Sequence, residues 1–145
     1  MSENIIHKFY LPSYIDIPIS LKCRSKTNKK RLAEGKPWNR YYLNLNVYRN
    51  LHQHTENQLK KMFKPIKCER FEAEKIRITY FVEKKQKRLF DSRNITDIVD
   101  KYFCDWLVEN KYIPDDNFMH VCHGGDDGIY GCVTDRVVAT VEVLK

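Results

Sequence analysis

Between Asp91 and Asp116 the sequence DSRNITDIVDKYFCDWLVENKYIPDD gathers the residue types that bind divalent ions and hydrolyse phosphodiesters. Asp97, Lys101 and Asp105 recur at i, i+4 and i+8, so a helix would align them in one polar stripe. Asp91 precedes that stripe, and Asp115 and Asp116 follow it in a predicted turn. Two or three carboxylates on a rigid frame bind Mg²⁺ or Mn²⁺ and leave coordination positions open to phosphate oxygens. Such an ion lowers the pKa of an attacking water and neutralises charge on the phosphate. A lysine nearby adds a cation for the charge that develops as the bond breaks. The expectation is that Asp91 and Asp115 or Asp116 converge from the two ends of one helix. The same residues also have an ordinary reading, with Asn94 as the N-cap, Asp97 as a first-turn acid, and Lys101 paired on the surface with Asp97 and Asp105.

The elements that must hold these groups follow from periodicity. Ile95, Ile98, Val99, Tyr102, Phe103, Trp106 and Leu107 mark one face of a helix that runs from about Asn94. Before it, EKIRITYFVEKK alternates as a strand, with Ile76, Ile78, Tyr80 and Val82 on one side. HKFYLPSYIDIPISLK predicts an edge strand interrupted by prolines, and YYLNLNVY a half-buried strand. In NVYRNLHQHTENQLKKMF, Val47, Leu51, Leu59, Met62 and Phe63 predict one helix that Pro65 ends. FMHVC predicts a short strand, GGDDG a flexible loop, and DRVVATVEVL a last strand. The sum is a mixed α/β (α+β) fold, with a mixed sheet packed against two main helices. At 145 residues, one domain spanning 1–145 is expected.

The charge suits either a polyanionic partner or ordinary solubility. The chain has 26 basic and 19 acidic residues, a formal charge of +7. The segment 22–40 carries eight cations (Lys22, Arg24, Lys26, Lys29, Lys30, Arg31, Lys36, Arg40) against Glu34 alone, and is predicted to be mobile without its partner. With Lys87 and Arg88 in the run that starts at Lys84, it would hold phosphates. Trp38, Tyr41 and Tyr42, interleaved with Lys36 and Arg40, suit either stacking on unpaired bases or anchoring the loop to the core. The five cysteines form no C-x-x-C, and no apolar run resembles a signal peptide, so free thiols in a reducing cytoplasm are expected. No segment approaches the roughly 20 apolar residues of a membrane span. His120, Cys122, His123 and Cys132 lack the second ligand pair of a structural zinc site, and GGDDG lacks the ligand run of a calcium loop. His52 and His54 suit either contact with DNA phosphates or, more simply, ordinary surface positions.

The segment KIRITYFVEKKQKRLFDSRNITDIVDKYFCDWLVENKYIPDDN, with RVVATVEVL, resembles the RusA family of phage and prophage Holliday-junction resolvases. The family pattern runs strand, basic residues, Asp-x-Asp-Asn, a helix with Lys-x-x-x-Asp-x-Leu, and Asp-Asp in a turn. Lys101, Asp105 and Leu107 match the helix motif, and Asp115-Asp116 follow at the family's spacing. The resemblance implies that Asp91 and Asp116 bind the metal with Lys101 as catalytic lysine, and that a homodimer nicks a four-way DNA junction; Asp115 is a further metal-ligand candidate, with Asn94 and Asp105 as supporting residues. Two departures stand out: Arg93 replaces the second aspartate, and Asn94 to Lys101 is longer by about one helical turn. Either Asp97 supplies the missing ligand, or Arg93 pairs with Asp97 and metal binding is weakened. The expected function is a Mg²⁺-dependent structure-selective endodeoxyribonuclease. The alternatives are a branched-DNA-binding protein that does not cut, and a phage regulator or inhibitor that binds a host protein.

Overall fold

Strand β4 (Ile76–Lys84) buries Ile76, Ile78, Tyr80 and Val82 and turns Arg77, Thr79 and Phe81 outward, as its alternation predicts. The computed structural model describes residues 5–18 and 38–144. Beside β4 lie β6 (Arg136–Val143), which pairs antiparallel, and β5 (Val121–Tyr130), which pairs parallel. β1 (Ile6–Leu11) adds to the far side of β6, giving a mixed sheet of order β1-β6-β4-β5. The N-terminal segment, expected as one edge strand, divides: β1 joins this sheet, and β2 (Tyr14–Pro18) pairs with β3 (Trp38–Tyr42) in a separate ribbon. The fold is mixed α+β, with six strands and three helices among the described residues.

The helix predicted over residues 46–63 is two. α1 (Leu45–Asn50) is capped by the Asn44 side chain, and α2 (His52–Phe63) starts after Leu51, whose backbone (φ −131°, ψ 47°) leaves the helical region. Asn50, Leu51 and His52 include two weak helix formers, so propensity offers little against the break. α3 (Ser92–Glu109) has 18 residues, about 27 Å at 1.5 Å per residue. Its apolar face buries Ile95, Ile98, Val99, Tyr102, Phe103 and Leu107 against β4 and β6, where Val137, Ala139 and Val141 point. Trp106 is half-buried, stacked on Phe103 and Tyr112. On the opposite face of the sheet Ile6, Tyr10 and Phe81 remain exposed.

Both ends of α3 decide where the acids go. Its N-cap is Asp91, one turn earlier than expected, and the Asp91 carboxylate accepts the Arg93 N–H at 3.0 Å. Its C-terminus closes as a Schellman turn: Tyr112 N–H bonds Leu107 C=O, Lys111 N–H bonds Val108 C=O, and Lys111 sits at φ 62°. That reversal buries Tyr112 and Ile113 and sends Asp115 and Asp116 back along the helix. GGDDG, expected as a loop, lies within the ten-residue edge strand β5. Its glycines serve close approach, since a Cβ on Gly124 would collide with Thr79 Oγ1 and one on Gly128 with the Phe90 ring. Gly125 (φ 117°) falls where the register slips between Ile78 and Thr79, a bulge.

Candidate functional site

α3 distributes its polar residues between two clusters, one on each half. Toward the C-terminal half, the negative charge of Asp116 reaches Asp105. The Asp105 carboxyl is raised above its ordinary value by burial and then by the negative charge of Asp116, with Glu109 adding and Lys101 and Lys60 opposing. Asp116 also contributes, after burial and Asp100, to raising the Cys104 thiol. Lys101 Nζ donates to the Tyr48 hydroxyl at 2.6 Å, a bond that raises the ammonium pKa and keeps the cation charged. Asp105 also lines a groove of about 280 Å³ between α2 and α3 with Lys60, Tyr102, Trp106 and Glu109. Lys101, Asp105 and Asp116 are all on the surface.

Asp91 is not part of this cluster. It caps the opposite end of α3, and Asp105 lies fourteen residues further on, about 21 Å along the axis. The expected Asp91–Asp116 ligand pair is therefore corrected: a straight helix holds its two borders apart, and Asp116 acts on the charge of Cys104 and Asp105, near the far border from Asp91. Asp115 is committed to its own turn, accepting the Asp116 N–H at 2.7 Å and the Asn117 amide at 3.3 Å. Asn94 is an exposed residue inside the helix, not its cap.

Toward the N-terminal half a cleft of about 440 Å³ opens between α3 and β5, lined by Tyr80, Arg93, Thr96, Asp97, Asp100, His123, Gly125 and Asp126. Arg93 and Asp97 share it without forming an ion pair, so the expected i, i+4 bridge is absent. Asp97 faces this cleft with Asp100 and Asp126, whose carboxylate accepts from the Ser92 hydroxyl. Asp100 Oδ1 accepts from the Tyr80 hydroxyl, from His123 Nε2 at 2.9 Å and from Cys104 Sγ at 3.4 Å. Burial, with the charge of Asp100, holds the Tyr80 phenol well above its usual range. Asp100 and Asp126 stand outside the motifs that single out Asp91, Asp97, Lys101 and Asp116. A signal was present in Asp100 and Cys104, which stand at i, i+4 on the helix.

The histidines and cysteines near residue 120 do not converge. His120 Nδ1 bonds Glu74 C=O at 2.7 Å and Cys122 Sγ bonds Ile76 C=O, whereas His123, next along the strand, points to α3. Cys68, Cys104, Cys122 and Cys132 are free thiols. His52 bonds the Tyr48 hydroxyl at 2.8 Å, and His54 the Asp16 carbonyl at 2.8 Å.

Of the expected phosphate contacts, Lys26, Lys29, Lys30, Arg31 and Lys36 lie outside the described residues. Arg40 is exposed but bonds Asp16 at 3.2 Å and lies over the Tyr14 ring. Lys87 and Arg88 are exposed, whereas Lys84 is buried, its ammonium over the rings of Tyr42 and Phe90. Burial lowers the Lys84 pKa, so that residue leaves the expected phosphate-binding run. Tyr42 donates to Asp135 at 2.6 Å, while Trp38 is half-exposed. Among the described residues no helix is long and apolar enough to cross a membrane. Compared with protein-family models, curated proteins and solved structures, the chain matches none.

Proposed function

We propose that the protein is a Mg²⁺- or Mn²⁺-dependent endodeoxyribonuclease of the RusA type, acting as a homodimer on branched DNA such as a four-way junction. The observation that carries this reading is that the charge of Asp116 acts on Asp105, one helical turn from Lys101, in a chain with the K-x-x-x-D-x-L…DD motif. Two mutually repelling, exposed carboxylates offer hard oxygen donors and leave room for water and phosphate, which suits Mg²⁺. When bound, the ion supplies charge neutralisation at the phosphate and a lowered pKa for the attacking water.

The chain's own groups do the rest. Asp105 and Asp116 bind and position the ion. Lys101, steered by the Tyr48 hydroxyl and kept protonated, stabilises the negative charge on the departing oxygen as the P–O bond breaks. Asp91 reaches that ion only from a second copy. Lys87, Arg88 and the cations of 22–40 bind the DNA backbone, so affinity falls steeply with salt.

A second reading is a branched-DNA binder that does not cut. It is favoured by Asp91 serving as a helix cap and by Arg93 standing where the family pattern has an acid. One assay separates the two: a synthetic four-way junction incubated with the protein, with and without Mg²⁺ or Mn²⁺, scored for both gel shift and nicks. Metal-dependent nicks support the nuclease and a shift without nicks supports the binder. Neither result leaves the regulator of a host protein.

A further inference from the structure

The Asp100 carboxylate is oversubscribed. Three donors from three directions, the Tyr80 hydroxyl, the Cys104 thiol and His123 Nε2, all aim at its Oδ1. A carboxylate offers about four lone-pair sites over two oxygens, so three donors on one oxygen exceed what that atom accepts well. The conflict disappears if the thiol and the imidazole turn from proton donors into ligands of a shared cation.

We propose that Asp100, Cys104 and His123 form a Zn²⁺ site whose fourth position opens into the cleft beside Arg93 and Asp97. The three ligand atoms all lie within 4.8 Å of one another. Around a tetrahedral zinc with bonds of about 2.0–2.3 Å, ligand atoms sit roughly 3.3–3.7 Å apart. The oxygen–sulfur separation, 3.4 Å, already fits, and the oxygen–nitrogen pair needs to open from 2.9 Å by about half an ångström. Asp100 and Cys104 are one turn apart on α3, and His123 approaches from β5, so backbone elements set the spacing. Tyr80 remains as the donor that orients the ligating carboxylate.

The mixed oxygen, nitrogen and sulfur set favours zinc over magnesium, which takes oxygen. Asp100 and His123 line the cleft while Cys104 is buried, so the open position faces solvent and holds a water, as in zinc sites with three protein ligands. Binding releases the Cys104 proton, so affinity rises with pH.

The test titrates the folded, metal-stripped protein with Co²⁺ and then Zn²⁺, and needs no DNA, so it stands apart from junction cleavage. The expected result is one equivalent of Co²⁺ with a thiolate-to-metal charge-transfer band, displaced by Zn²⁺. The band is lost in Cys104→Ala, and affinity falls at least ~10-fold in His123→Ala. No band at saturating Co²⁺ overturns the proposal, as does a band that survives Cys104→Ala, which would put the ion on another thiol. Because Cys104 is buried and its variant can fail to fold, His123→Ala, altered at a half-exposed side chain, decides independently: unchanged Co²⁺ affinity there overturns the proposal too.

Discussion

Replacing Asp116 with asparagine should stabilise the ion-free protein at neutral pH, although it removes a charged surface group. The Asp105 carboxyl is raised by burial first and by Asp116 second. A raised acid binds its proton more tightly in the folded state. Its ionisation therefore costs stability as pH climbs from the unfolded value through the folded one, and the full penalty is present at pH 7. Asp116→Asn removes the Asp116 share and leaves the burial share. Both side chains are exposed, so the repulsion is screened and is worth about 0.2–1 kcal/mol. For a chain of 145 residues that corresponds to a rise in Tm of about 1–4 °C. The gain should vanish once pH falls below the usual carboxylate range. Mg²⁺ should raise the Tm of the parent protein by binding only the folded state, and should leave Asp116→Asn unmoved. Thermal unfolding at pH 7 and pH 3.5, each with and without Mg²⁺, reads all of this. A less stable variant, or an undiminished Mg²⁺ shift, would refute the pairing of the two carboxylates.

Asp91→Ala should cost about 0.5–2 kcal/mol in denaturant unfolding through the lost cap, with the Mg²⁺-induced Tm shift unchanged. Lys111→Gly should stabilise by about 1 kcal/mol, because φ 62° at the helix terminus strains a side chain and not a glycine; a loss of stability would contradict the assigned turn. Gly124→Ala should destabilise by about 1–3 kcal/mol as its Cβ meets Thr79, and hydrogen exchange should show the loosening confined to β5 and its β4 neighbours. Glu83, held below its ordinary pKa by Arg136 and then Thr134, contributes stability above the unfolded value that is lost as pH falls through the folded one. Glu83→Gln should therefore flatten the acid limb of the stability profile.

Long, regular patterns were legible. The i, i+3, i+4 run from Ile95 to Leu107 marks α3 because a helix with one buried face needs that spacing, and the alternation from Ile76 to Val82 marks β4 for the corresponding reason. Local chemistry misled where tertiary contact overrode it. The glycines of GGDDG serve a bulge and two close approaches in a strand, not a loop, and their partners Thr79 and Phe90 are remote in sequence. Asp91 outcompeted Asn94 as the cap, which moved the helix start back and fixed Asp91 at the border far from Asp116. Lys101 and Asp105 were visible as a stripe and the turn after the helix was legible in ENKYIPDDN, but its Schellman form at Lys111 uses no glycine, so the direction in which it sends Asp116 was not. Asp100 lies beside that stripe, and its partner His123 sits on an edge strand whose pairing no local pattern reveals.

The most direct test is strand cleavage of an end-labelled four-way junction by the purified protein in Mg²⁺, run beside Asp105→Asn, Asp116→Asn and Lys101→Ala. The account predicts symmetrically paired nicks from the parent protein that need the metal and are lost in all three variants while junction binding persists. Intact junctions under every metal condition, or nicks that survive removal of both carboxylates, would contradict it.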